Sequence, residues 1–218
     1  MIAELLPAAV ASAECFDDPP GVVLFDQERA VVARAVDKRR REFATVRHCA
    51  RRALATLGHS PVPLVPGRRG APLWPDGIVG SMTHCDGYRA AALARADQVH
   101  AVGIDAEPDG PLPDGVLALI ARPDETKHLA DLLHRGCAGP DHWERLLFSC
   151  KETVFKVWYP LTHRELDFHE ASIRLDPRDA TFTVDLFADS GDDVLPSRLV
   201  GRWIAAQSLV ISTITLMP

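Results

Sequence analysis

The sequence predicts a mixed α/β fold of the α+β kind, built in two halves, and three observations carry that expectation. Apolar residues recur at helical spacing around residues 43–57 and again around 143–158. Each helical region is followed by segments of strand character, the last of them filling the C-terminal fifty residues. A proline- and glycine-rich stretch, Pro108 to Gly115, falls between the two sets. It divides the chain into an N-terminal α/β half, residues 1–107, and a C-terminal α/β half, residues 108–218.

In the first half, Phe43, Val46, Ala50, Leu54 and Leu57 form one apolar face of a helix from Lys38 to Leu57, which Gly58 stops. Arg40, Arg47 and Arg51 line one edge of that face. They read either as a solvated flank or as an anion site, since guanidinium geometry suits phosphate. From His59 to Gly77 the chain is an extended, turn-rich connection containing the basic turn Gly67-Arg68-Arg69-Gly70. Strands are expected at Ile78 to Met82, Tyr88 to Ala94 and Val99 to Ala106, with Asp86-Gly87 as a hairpin turn between the first two.

In the second half, Pro123 to His134 suggests one helix and Asp141 to Tyr159 a stronger one, with Asp141 as cap and Pro160 as terminator. Strands are expected at Asp167 to Leu175, Thr181 to Phe187, Leu199 to Ala206 and Leu209 to Leu216, as an antiparallel meander.

Length and composition exclude several classes. At 218 residues, 47% apolar and 25% charged, the chain has the make-up of an ordinary globular protein. The formal charge of −6 argues against a nucleic-acid partner. No apolar run approaches the roughly 20 residues of a membrane span. The N-terminus lacks Lys or Arg before Pro7 and so does not read as a signal peptide. Five scattered cysteines with no CxxC pair suit reduced thiols, and a cytoplasmic location is expected.

Chemistry concentrates in three places. In Val102-Gly103-Ile104-Asp105-Ala106-Glu107, strand alternation turns Asp105 and Glu107 to one face. Two carboxylates about 7 Å apart on one face repel unless a cation neutralises them. Hard oxygens of this kind suit Mg²⁺ or Mn²⁺; a strand end fraying into solvent is the bland alternative. In the second helix, Trp143, Leu147, Cys150 and Val154 form an apolar stripe that Phe148 and Phe155 widen. Opposite it stand Glu152 and Lys156, either a surface ion pair or a functional one. Two of the chain's lysines, Lys151 and Lys156, fall in this one segment of an otherwise arginine-preferring sequence. Finally, Ser81-Met82-Thr83-His84 closes a strand before the Asp86-Gly87 turn, where His84 reads either as a structural residue or, beside Thr83, as a hydrogen-bond donor to a phosphate.

Taken in order, Val102-Gly103-Ile104-Asp105 with Glu107, then Phe148-Ser149-Cys150-Lys151-Glu152-Thr153-Val154-Phe155-Lys156, resemble the paired motifs of the 4′-phosphopantetheinyl transferases. Length, the Gly67 to Gly77 segment and Ser81 to His84 are similar to the surfactin/enterobactin-type subgroup, particularly its actinobacterial members. The resemblance implies a monomer of two similar halves in pseudo-twofold arrangement, with the active site between them. It implies transfer of phosphopantetheine from coenzyme A to a serine hydroxyl of apo acyl or peptidyl carrier proteins, in secondary metabolite biosynthesis among other pathways, with release of adenosine 3′,5′-bisphosphate. By the same resemblance Asp105, Glu107 and Glu152 are Mg²⁺ ligands, with Mn²⁺ the other candidate ion. Glu152 is the candidate base and Lys156 the group countering charge on the departing phosphate. Lys151, Lys156, Thr83 and His84 match phosphate contacts, Arg47 with Arg39 or Arg40 matches the 3′-phosphate site, and Arg69 stands where the family often has lysine.

Two other readings compete. A metal-dependent nuclease would also gather carboxylates and a lysine, but it needs a broad basic surface that the net charge does not favour. A non-catalytic carrier- or nucleotide-binding module would need no combination of acidic ligands with the helix lysine.

Overall fold

A computed structural model describes residues 1–191 and 194–218, in two compact units. The first comprises Met1–Ile104 with Thr215–Pro218, and the second Asp105–Ile214. The chain thus changes unit inside the strand that carries Asp105, and its last residues return to the first unit.

Unit 1 contains β1 (Val10–Cys15), α1 (Asp26–Val31), α2 (Asp37–Thr56), β2 (Ile78–Cys85), β3 (Tyr88–Arg95) and the first half of β4 (Ala101–Pro108). Strands β1, β3 and β2 form an antiparallel sheet in that order. The register Cys85↔Tyr88 leaves Asp86-Gly87 as a two-residue turn, and Gly87 takes a positive φ of 73°, which glycine enters without steric cost. Because β3 is central, its residues Tyr88 to Ala94 are all buried, as a small, alanine-rich run permits. Strand β1 departs from expectation. Apart from Val10 its residues, Ala-Ser-Ala-Glu-Cys, have little strand propensity of their own, and pairing with β3 under α2 makes them extended.

Helix α2 buries Phe43, Val46, Ala50 and Leu54, as their spacing predicts, and Ala50 and Leu54 share a core with Ala13, Ile78, Ala91 and Leu93. The arginine edge does not survive as a set. Arg51 donates to Glu28, which is fully buried and also accepts from the Leu64 and Phe25 amides. A buried carboxylate with this many donors is a structural anchor.

Unit 2 contains the second half of β4, then α3 (Val116–Ile120), α4 (Pro123–His134), α5 (Trp143–Thr162), β5 (Ala171–Asp176), β6 (Thr181–Leu186), β7 (Arg198–Ala206) and β8 (Leu209–Leu216). The meander β5 to β8 is antiparallel throughout. Strand β4 joins it beside β8, giving the order β4-β8-β7-β6-β5. His100 N–H donates to Leu216 O and Asp109 N–H to Ser208 O, so β4 and β8 run in opposite directions. No helix of the described residues is long and apolar enough to cross a membrane.

Three expectations about this unit need correction. Helix α5 starts at Trp143, and Asp141 does not cap it; the carboxylate of Asp109 accepts the Asp141 amide at 2.9 Å and the His142 amide at 3.0 Å. Pro160 does not end the helix, which runs to Thr162 and closes on His163 at a φ of 54°. Proline's fixed φ is helical, and in the last turn its missing N–H removes a single rung. Strand β5 begins at Ala171, because Asp167 caps a short 3₁₀ turn, Phe168–Glu170, by accepting the His169 amide.

Candidate active site

Strand β4 and helix α5 supply one cluster within unit 2. Alternation along β4 presents Asp105, Glu107 and, past the strand end, Asp109 in the same sense. On α5, Arg145, Glu152 and Lys156 follow at intervals of seven and four, which brings them onto a single stripe. The two series meet. Lys156 Nζ donates to Asp105 Oδ1 at 2.7 Å, and Arg145 donates to Glu107 Oε2 at 3.1 Å. Arg145 is itself fixed by Gly110 O and Pro111 O, and Asp109 holds the start of the same helix.

Three carboxylates therefore stand in one field with two cations. Burial and the Asp105 charge push the Glu107 carboxyl from 4.5 up to about 7, against the pull of Arg145 and Lys156. Burial and Asp105 also raise Glu152, with Lys156 opposing. Carboxylates that resist ionisation in this way carry a surplus of negative charge that a divalent cation would relieve. The donor chemistry, hard carboxylate oxygen, fits Mg²⁺ or Mn²⁺. Among the described residues, no three His, Cys, Asp or Glu side chains are gathered around a common point. Lys156 and Arg145 hold Asp105 and Glu107 in the arrangement seen.

A raised carboxyl has a sign in stability. Between pH 4.5 and about 7 the folded chain keeps a proton on Glu107 that the unfolded chain has released. The associated stability is full below that window and is lost as pH rises through it, Glu152 adding in the same direction. In metal-free buffer the unfolding midpoint should fall from pH 5 to pH 8, and Glu107→Gln should flatten that slope. A midpoint independent of Glu107 across this range would contradict the shift.

Lys151 is not part of this cluster. One residue turns a helix by about 100°, so Lys151 and Glu152 face different neighbours. The Lys151 ammonium donates to Phe168 O at 2.7 Å and Ala171 O at 2.6 Å and pairs with Glu125 at 2.8 Å, with both side chains 1% exposed. Burial holds its pKa below the usual lysine range despite that partner. Glu125 in turn accepts the Ile173 and Arg122 amides, so the pair ties α5 to α4 and β5. In this structure Lys151 serves as the internal counterion of Glu125.

Within unit 1 the predicted basic residues separate. Of the two candidates upstream of Arg47, Arg39 meets the His84 ring, with Glu42 at 3.9 Å from both. Arg40 turns away to the Val32 and Ala33 carbonyls. Arg47 is buried, donating to Leu64 O at 3.0 Å with its guanidinium 3.2 Å from the Phe43 ring centroid. Burial pushes its pKa down to about 10. Thr83 is buried on β2 beside the exposed His84, and Arg69 is exposed in its turn at a φ of 56°.

Sequence reasoning missed Glu125, Arg145 and Asp109. Each had a signal: Glu125 lies three residues after the residue preceding Pro123, Arg145 lies seven before Glu152, and Asp109 continues the alternation of Asp105 and Glu107.

Comparison with known proteins bears on both units. Residues 27–94 match the family model of the 4′-phosphopantetheinyl transferase N-terminal domain, and residues 101–206 match that of the 4′-phosphopantetheinyl transferase superfamily. The chain is 56% identical over 221 residues to 4′-phosphopantetheinyl transferase Svp of Streptomyces mobaraensis, spanning 98% of this chain and 88% of that protein. It is 43% identical to 4′-phosphopantetheinyl transferase PptT of Mycobacterium tuberculosis, over 99% of this chain and 98% of the relative. Against 4′-phosphopantetheinyl transferase Npt of Nocardia iowensis the identity is 42%, over 98% and 99% of the two chains.

Proposed function

We propose a mechanism from one premise: this chain belongs to the 4′-phosphopantetheinyl transferase superfamily. It is an enzyme of phosphopantetheine transfer. The finer reading is that the donor is coenzyme A, the acceptor a serine hydroxyl of an apo acyl or peptidyl carrier protein, and the second product adenosine 3′,5′-bisphosphate. One observation supports it: Lys156 and Arg145 of α5 meet Asp105 and Glu107 of β4, and Glu152 lies on the same stripe of α5, one turn before Lys156.

Asp105, Glu107 and Glu152 would hold a Mg²⁺ ion. When bound, such an ion neutralises diphosphate oxygens and stabilises charge on a leaving phosphate. The protein's own part is positioning and proton transfer, because phosphoryl transfer needs little covalent help. Glu152, raised toward neutrality by burial and by Asp105, is the group we assign to accept the serine proton. Lys156, steered by Asp105, supplies positive charge where the departing phosphate gathers negative charge. Arg145 fixes the Glu107 carboxylate against the strand end. In unit 1 we assign phosphate contacts to Thr83, His84, Arg39 and Arg69, with Arg40 and Arg47 adding positive charge on α2.

The test is direct. The protein is mixed with coenzyme A, Mg²⁺ and an apo carrier protein, and the carrier is weighed. A gain of one phosphopantetheine group, abolished by chelation and restored by Mg²⁺, is the expected outcome. A carrier of unchanged mass with all three present would overturn the coenzyme A reading, and transfer unaffected by chelation would overturn the metal.

A further inference from the structure

Cys15 and Cys49 take no part in the chemistry above. Alternation along β1 puts Ala11, Ala13 and Cys15 on the face that α2 covers, while Glu14 turns the other way to accept from the Tyr88 hydroxyl. Cys49 sits in the middle of α2 with Ala50 and Ala53 as neighbours in the same core. The two sulfurs stand 3.6 Å apart, in van der Waals contact, across 34 residues of chain. Cys49 is fully buried and Cys15 half-buried, so Cys15 is the more accessible residue of the pair.

We propose that Cys15 and Cys49 form a reversible modification site, closed to an intramolecular disulfide by a peroxide-class oxidant. The asymmetry in burial sets the order. Burial and the neighbouring Cys15 push the Cys49 thiol up to about 12, which leaves Cys15 as the sulfur that meets the oxidant. The Cys15 thiolate attacks one oxygen of hydrogen peroxide; the S–O bond forms, the O–O bond breaks, and the hydroxide released takes up the thiol proton as water. The Cys49 sulfur then attacks the Cys15 sulfenic sulfur. The S–S bond forms, the S–O bond breaks, and the departing hydroxide leaves with the Cys49 proton as a second water. Two thiols lose two electrons, and one peroxide becomes two waters. The closed bridge fastens β1 to the helix that carries Arg39 and Glu42, and shrinks the unfolded ensemble by a loop of this length.

The experiment treats the full-length reduced protein with hydrogen peroxide, alkylates the remaining thiols under denaturing conditions and maps peptides by mass. The expected result is a loss of two hydrogen masses, a linked peptide pair containing Cys15 and Cys49, and reversal by dithiothreitol. The unfolding midpoint should rise by roughly 5–10 °C over the reduced protein. Cys15→Ser should show neither the link nor the rise. Cys49→Ala serves as the second control if the serine variant folds poorly. A linked pair of other cysteines, over-oxidation of Cys15 with Cys49 still alkylated, or no linked peptide at all would each overturn the proposal.

Discussion

Changing Asp105 to asparagine is expected to lower phosphopantetheine transfer on the order of 10³-fold, equivalent to about 4 kcal/mol of transition-state stabilisation. Asp105 is the carboxylate that acts on both other acids of the cluster and on Lys156. It holds the Lys156 ammonium at 2.7 Å, and its charge acts on both Glu107 and Glu152. Asparagine keeps the shape and one hydrogen-bond acceptor but removes the charge. Glu107 and Glu152 should then titrate closer to ordinary carboxyls, and Lys156 loses the partner that steers it. The check is a rate measured at saturating coenzyme A and carrier, together with a circular dichroism spectrum matching the unaltered protein. A rate within a few-fold of the unaltered enzyme would remove Asp105 from the machinery.

Lys151→Met should instead act on stability, lowering the unfolding midpoint by roughly 10 °C. Removing one partner of a buried ion pair strands the other charge, at a cost of about 3–5 kcal/mol. Here the stranded group is Glu125, 1% exposed and held in place by the Ile173 and Arg122 amides. The double change Lys151→Met with Glu125→Gln should recover most of the loss, since glutamine can still accept the Ile173 amide without a charge. The same pair of variants separates two roles for Lys151. If Lys151 touched a substrate phosphate, the single variant would keep its midpoint, lose affinity for coenzyme A, and gain nothing from the change at Glu125. Calorimetry without substrate, set beside KM for coenzyme A, distinguishes these outcomes.

Elements specified by local chemistry were legible in the sequence. The Asp86-Gly87 hairpin follows from a turn that only certain residues enter easily, and β8 follows from a run rich in β-branched residues, Val210, Ile211, Thr213, Ile214 and Thr215. The interior position of α5 was readable from an apolar surface too wide for a peripheral helix. What escaped was decided at long range. Strand β1 is extended because β3 and α2 flank it, and its run from Ala11 to Cys15 carries little such instruction. The arginines of α2 share an edge, yet Arg40, Arg47 and Arg51 find three different partners, in nearby carbonyls, a ring and a buried glutamate. In the site, Asp105, Glu107, Glu152 and Lys156 were visible through alternation and helical spacing. The surroundings of Lys151 were not legible, because its partners Phe168 O, Ala171 O and Glu125 come from distant parts of the chain.

The five residues from Asp105 to Asp109 work like the bitting of a key. Two notches turn their carboxylates to the cluster and the third locks the start of α5, all spaced by the two-residue step of an extended chain. Inserting or deleting one residue there would turn every later notch to the opposite side at once. Loss of activity from such a change should therefore be abrupt, whereas lengthening the Pro108–Gly115 connection beyond Asp109 leaves the pattern uncut.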